Sequence, residues 1–341
     1  MSAADTPTQL APWLQSQLTQ LVQHKGHALM LSGAPGMGQY ELAMALAKSW
    51  LCESPVNGLA CGQCASCHAV AVHTHADFSV LMPETVALER DWPLSAAAQD
   101  AIDKKERKPS RWIRVDAARE AIAFSQMTRA RAPHKVILIY PAERMNTETA
   151  NTLLKTLEEP PGDLRFVLAT EASHQLLPTI RSRCQVHTMA WPAAELVKPW
   201  LRAAVSEQAS DADLGTWLAA AGGIPHAAQS WAHLGLTAQA WQALPKQIAS
   251  GQPGVMAEWD AVEQLQTLLK LAHDLMAKAA GGEPRFFEAG LLPPTPELRN
   301  LVAWQQRLVQ ATRSVEHPFN AGLMLEAWLS DAQSLWSRKA A

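Results

Sequence analysis

The chain has no excess of either charge. Its 29 Lys and Arg against 32 Asp and Glu leave a formal net charge of -3 over 341 residues. That excludes a generally basic nucleic-acid binder, so any DNA contact must come from a local patch or from backbone dipoles. No apolar run approaches the roughly 20 residues of a membrane span. The opening MSAADTPTQLAPW has neither a basic n-region nor an apolar h-region, so a secretory leader is not expected and a cytoplasmic protein is. There is no internal repeat and no long low-complexity tract, which excludes a repeat array. Cysteine is scarce as well. Of five, Cys52, Cys61, Cys64 and Cys67 crowd into sixteen residues and only Cys184 stands apart. That crowding suits a metal in a reducing compartment and not a disulfide framework.

The most informative absence is a single lysine. GAPGMGQYELA, Gly33 to Ala43, follows the apolar run from Ala28 to Leu31. A phosphate-binding loop reads G-x-x-x-x-G-K-[ST]. Gly33 and Gly38 frame such a loop, with Gly36 between them, but Gln39 holds the lysine position and Tyr40 the hydroxyl position. Backbone N–H groups can still cradle an anion there. Gln39 carries no charge to bridge terminal phosphates, and Tyr40 is too bulky to stand beside magnesium. Two readings follow: a glycine-built turn kept as scaffold, or weak nucleotide binding. The scaffold is favoured, because a glycine turn alone is a weak binding signal.

Apolar strands alternate with helical patterns over the first 190 or so residues. The strands are His27–Leu31, Phe78–Met82, KVILIY (Lys135–Tyr140) and LRFVLAT (Leu164–Thr170). Helices are expected at Thr8–Gln23, Gly38–Leu51, Val115–Arg129 and Asn146–Leu157. This alternation predicts an α/β fold with a parallel sheet covered on both faces. After Trp191-Pro192 the strand signal disappears. Helices are expected at Leu196–Ser206, Asp213–Ala221, Pro225–Leu234, from Gln239 onward, at Glu297–Val315 and at Phe319–Ser337. Trp259, Val262, Leu265, Leu269, Ala272 and Met276 fall on one helical face.

Cys52-x₈-Cys61-x₂-Cys64-x₂-Cys67 offers four thiolates, enough to close a tetrahedral shell around zinc with no open position, hence a structural site. An iron–sulfur pattern of this type needs a further cysteine followed by proline, and residue 71 is Ala. A zinc deaminase needs an H-x-E segment that is missing. His68, His73 and His75 are nearby and are expected as surface or capping residues. The stretch Glu84–Arg111 is a charged insert with Lys104, Lys105, Arg107, Lys108 and Arg111. A DNA-contact patch and a solvated loop both fit it. The loop is favoured because Asp103 and Glu106 interleave. Nine of the thirteen tryptophans lie after residue 190 among Leu and Ala, which suits helix packing and oligomer contacts better than base stacking.

LLKTLEEPP (Leu153–Pro161), then LRFVLAT, then TIRSRC (Thr179–Cys184), with the four cysteines upstream, resembles the AAA+ subunits of the bacterial sliding-clamp loader. Loss of the loop lysine narrows the likeness to the delta-prime branch of that family. Motifs carry it from Trp13 to about Ala228, and HPFNAGLMLEAWL with Pro318 supports it beyond. The resemblance implies an AAA+ domain over residues 1–191, with a four-cysteine zinc module at 52–67 and the insert at 84–111. A helical lid at 192–235 and a helical collar for oligomerisation at 236–341 would follow. Active relatives end the strand matching KVILIY in an Asp-Glu pair; here stand Tyr140 and Pro141, then Ala142 and Glu143. Thr170 falls at the phosphate-sensor position and His226 near the second-sensor arginine. In SRC, Arg183 matches the finger that reaches a neighbouring subunit's ATP, with Arg181 a near decoy and a surface salt bridge the plainer role. Cys184 is expected as a small buried apolar residue.

The implied function is a non-hydrolysing subunit of the DNA polymerase III clamp loader. It would bind structural zinc and no ATP of its own. Its partners would be the ATPase subunits and the clamp-opening subunit, with the sliding clamp and primer-template DNA met through the complex, and no membrane. The alternatives are an active clamp-loader-like AAA+ ATPase with a degenerate site and a zinc-stabilised DNA-binding protein acting alone. The near-neutral charge speaks against the last.

Overall fold

A computed structural model of the chain describes residues 10–206, 208–315 and 321–337. The chain divides into two compact units, Met1–Trp191 and Pro192–Ala341. Pro318, in the segment expected to support the C-terminal likeness, lies outside the described residues.

The first unit runs α1 (Pro12–Leu21), β1 (Ala28–Ser32), α2 (Gln39–Leu51), α3 (Ala65–Ala71), β2 (Phe78–Leu81), α4 (Glu84–Glu89), α5 (Ala96–Asp103), α6 (Val115–Gln126), β3 (Lys135–Ile139), α7 (Thr147–Glu158), β4 (Leu164–Thr170), α8 (Pro178–Arg181) and β5 (Gln185–Thr188). Among the described residues the strands form one sheet in the order β2-β3-β4-β1-β5. Every pairing is parallel. All five residues of β3 are buried, so that strand is covered on both faces. Met30, Ile137, Ile139, Phe166 and Leu168 make a core on one face, closed by Ala118 and Ala121 of α6 and by Leu153 and Leu157 of α7. Asn146 caps α7 by accepting from the N–H of Thr149 at 2.8 Å. Pro160 and Pro161 follow its end, where no donor can extend the helix.

Two consequences position the site. Parallel strands point the same way, so the segments after β1, β3 and β4 gather at one edge of the sheet, where ligands of open α/β sheets bind. A helix that follows a parallel strand runs back, so the C-terminus of α7 lies at the opposite edge.

The structure corrects several expectations. The insert at 84–111 is not simply a solvated loop. It contains α4 and α5, and Glu84 is buried, accepting from Arg107 Nη2 at 2.6 Å and from the N–H of Ser110 at 2.8 Å. Lys104, Lys105 and Lys108 do face solvent. Of the two roles expected for His75 the capping one holds: it is buried, and its Nδ1 accepts from the N–H of Asp77 at 3.0 Å. Strand β5 was not expected, because Gln185–Thr188 is short, polar at three of four positions and an exposed sheet edge.

The second unit is helical: α9 (Ala194–Val205), α10 (Asp211–Ala220), α11 (Pro225–His233), α12 (Ala238–Ala249), α13 (Ala261–Ala279), α14 (Leu298–Ala311) and α15 (Ala321–Ser337). The buried face of α13 differs from the expected one. It carries Leu265, Leu268, Leu271, Ala272 and Leu275, while Trp259 lies before the N-cap Asp260 and so outside the helix that sets the stripe. Trp231 packs on Trp259 at 4.9 Å between ring centroids, and Trp241 stacks on Phe287 at 4.5 Å. Trp304 is fully buried. Asp274, also fully buried, accepts from the N–H groups of Arg285, Phe286 and Phe287 at 2.8–2.9 Å and ties down the segment that precedes α14.

Candidate functional site

Gly36 (φ 80°) and Gly38 (φ 93°) take left-handed conformations, and Gly38 caps the N-terminus of α2. Side chains with a Cβ resist that region, so the loop between β1 and α2 needs glycine for its path alone. Gln39 is buried, and its amide donates to the carbonyls of Gly33 (2.9 Å) and Ala34 (2.7 Å). The residue at the lysine position therefore bonds back onto its own loop.

The end of β3 meets this loop. The rings of Tyr40 and Tyr140 lie 5.1 Å apart. The guanidinium of Arg90 sits 3.9 Å from the Tyr40 ring centroid and 5.3 Å from that of Tyr140, and pairs with Glu41 at 3.3 Å. Trp92 donates its indole N–H to the Tyr40 hydroxyl at 2.6 Å. The Tyr140 hydroxyl donates to Glu171 at 3.4 Å. Burial, then the charge of Glu171, pushes the Tyr140 hydroxyl up to about 12, so it stays protonated at neutral pH. Burial, then Glu143, raises the Glu171 carboxyl. Thr170 donates to Glu143 at 2.7 Å and accepts from the N–H of Ala172, so it caps the turn after β4. Arg90 and Trp92 are the residues that sequence reasoning missed. They come from the insert, some fifty positions from Tyr40, and no spacing rule links them.

Replacing Arg90 with alanine removes both cation–π contacts and the Glu41 pair. The expected loss of stability is about 1–2 kcal/mol for a partly desolvated cation–π pair. Chemical denaturation checks this, and an unchanged midpoint would show that the cluster is loosely held.

The cysteine module is built separately. The four Sγ atoms lie within 4.8 Å of one another. Cys52 and Cys61 are 3.5 Å apart, Cys52 and Cys64 3.8 Å, Cys61 and Cys67 4.0 Å. A disulfide would need about 2.05 Å. Four sulfurs each about 2.3 Å from a tetrahedral ion stand about 3.8 Å apart, which these separations fit. The N–H groups of Cys61, Cys64 and Cys67 point at Sγ of Cys52, Cys61 and Cys64, the arrangement that favours thiolates. Although burial works against it, the N–H of Cys67 helps bring the Cys64 thiol down to about 6. A hydrogen-bonded chain anchors the module to the sheet. Ser66 donates to Glu53 at 2.7 Å and meets His75 Nε2 at 3.0 Å, and His75 Nδ1 accepts from the N–H of Asp77. Since Nδ1 accepts, Nε2 carries the proton. The Asp77 carboxylate takes the N–H groups of residues 130–132, and Arg131 returns to Glu53 at 3.2 Å. His68 is exposed and His73 stacks on Trp92; neither joins the sulfur cluster.

Arg183 is not gathered with the loop. It follows α8 and meets Glu158 at the end of α7, beside a cavity of about 420 Å³ that His27, just before β1, also lines. That is the edge of the sheet opposite the glycine loop, a strand length of about 16 Å away. Arg181 is exposed and makes no ion pair among the described residues. Cys184 is part-buried against the core, and burial pushes its thiol up to about 12. In the second unit His226 packs edge-on against Trp200 at 5.4 Å.

The family model described as DNA polymerase III, delta subunit, matches residues 8–192, which hold the loop, the cysteines and Arg183. The chain belongs to that family. A relative from Pseudomonas aeruginosa, DNA polymerase III subunit delta', is 38% identical over 221 residues, 64% of this chain and 60% of that one. The Escherichia coli subunit delta' is 33% identical over 195 residues, 56% of this chain and 52% of that one. The Escherichia coli subunit tau is 32% identical over 165 residues, 48% of this chain and 22% of that one. The likeness thus spans little more than half the length of the delta' relatives. No helix among the described residues is long and apolar enough to cross a membrane.

Proposed function

We propose that this chain is a non-hydrolysing AAA+ subunit of a DNA polymerase III clamp loader, in the delta-prime position, and that it lends Arg183 to the ATP of a neighbouring subunit. One observation carries the reading. The chain's own loop is filled by Gln39, Tyr40, Tyr140 and Arg90, while the SRC arginine stands at the opposite edge of the same sheet. A cation there is too far to serve a phosphate in its own loop and lies where one next door could be reached. Guanidinium suits the task because it stays charged and presents a fork to phosphate oxygens. The four cysteines would hold zinc, which when bound supplies a rigid, closed staple and no chemistry. Residues 192–235 would act as lid and 236–341 as collar. The partners are the ATPase subunits and the clamp-opening subunit in the cytoplasm, with the sliding clamp and primed DNA reached through the complex.

Titrating the purified chain with ATP and magnesium separates this reading from an active ATPase: neither binding nor turnover is expected. Mixing it with the ATPase and clamp-opening subunits is expected to give a defined complex that loads a clamp. Gln39→Lys alone is expected to leave hydrolysis undetectable, because Tyr40, Tyr140, Pro141 and Arg90 remain where magnesium and water would stand. Magnesium-dependent turnover by that single variant would overturn the scaffold reading of the loop.

A further inference from the structure

LLKTLEEPP ends its helix on a carboxylate that helix stability does not explain. Glu158 is the last residue of α7, where the helix dipole is negative and an acid is disfavoured. Its partner is Arg183. Arg183 Nε donates to Glu158 Oε1 at 2.6 Å, and Nη2 donates to the same oxygen. Arg183 Nη1 donates to the Thr179 carbonyl at 2.7 Å and to the Ser182 hydroxyl at 3.3 Å. Of five guanidinium N–H groups, four are engaged. The edge formed by Nε and Nη2, suited to bidentate recognition of carboxylate or phosphate, is the one that Glu158 covers.

We infer that Glu158 is a positioning residue for Arg183: it holds the phosphate-recognising edge of the guanidinium in the unassembled chain and yields it to a neighbouring subunit's nucleotide polyphosphate. The inference rests on the reading of Arg183 as a cation acting in trans. A polyphosphate carries more negative charge than a single carboxylate and presents the guanidinium fork with two acceptor oxygens, so the exchange favours phosphate. The side chains of Arg183 and Glu158 are 30% and 45% exposed, and a pair that open to water is weak enough to part. Thr179 and Ser182 keep hold of Nη1 during the exchange, so the side chain keeps its aim.

The test uses the assembled complex with ATP as substrate. Glu158→Gln removes the competing charge and keeps the shape. It is expected to lower the KM for ATP at the neighbouring site about two- to fivefold, the size of a part-exposed ion pair, with little change in kcat. Glu158→Asp is expected to fall between Glu158→Gln and the parent. In an Arg183→Ala background Glu158→Gln is expected to change nothing. A merely structural Glu158 would instead lower kcat and thermal stability together. A KM that is unchanged or raised in Glu158→Gln, with Arg183→Ala still impaired, overturns the role of Glu158 alone. Full activity of Arg183→Ala overturns the reading beneath it.

Discussion

Arg183→Ala is expected to cut ATP hydrolysis at the neighbouring subunit's site by about 10³-fold, the low end for an arginine supplied in trans. Clamp loading should fall with it. The effect is large because the developing charge on a transferring phosphoryl group is stabilised by few groups, and in this arrangement one would come from the chain next door. The variant should fold and assemble normally. Arg183 lies outside the core, and its pair with Glu158 is part-exposed, worth about 1 kcal/mol at most. Single-turnover hydrolysis in a complex whose other sites are disabled isolates the step. Arg181→Ala is the control: it should leave turnover near the parent value. Normal hydrolysis by Arg183→Ala, or a loss as large in Arg181→Ala, would sink the assignment.

The second large effect concerns the metal. The purified chain is expected to carry one zinc, and stripping it should unfold the segment from Cys52 to about His75. Binding free energy at structural zinc sites is folding free energy, about 10–16 kcal/mol at neutral pH in small modules. Cys61→Ser is the variant of choice, because Cys52 and Cys67 are buried and their loss would damage packing as well. Hydrogen exchange should show lost protection first in α3 and then at residues 130–132, which Glu53, Ser66, His75 and Asp77 link to the module. Protons compete with zinc for thiolate, so the metal should be retained at neutral pH and released as pH falls. Metal analysis and exchange on the same sample check both points. A zinc-free chain with a fully protected module would contradict the expectation.

Most of the sheet was legible because its strands are nearly continuous apolar runs. KVILI and LRFVLAT can satisfy their surroundings only between two covered faces. Strand β5 was hidden because an edge strand needs no such run. The stripe on α13 was misplaced because two apolar stripes overlap on it, sharing Leu265 and Ala272, and packing against α14 and α15 buries the one with Leu268 and Leu275 and not the one with Leu269 and Met276.

The sequence by itself determined which side chains stand at the glycine loop and after the third strand: Gln39 and Tyr40 after Gly38, Tyr140 and Pro141 after Ile139. Those are local identities, and local identities can be read in order along the chain. It also put four sulfurs within sixteen residues. Only the tertiary structure decided what packs against that loop and what holds Arg183. Arg90 reaches Tyr40 and Tyr140 from fifty positions away on either side, and Glu158 reaches Arg183 across twenty-five. Such meetings depend on which edge of a parallel sheet each connection returns to, and that is fixed by strand order and crossover direction, not by any spacing in the chain.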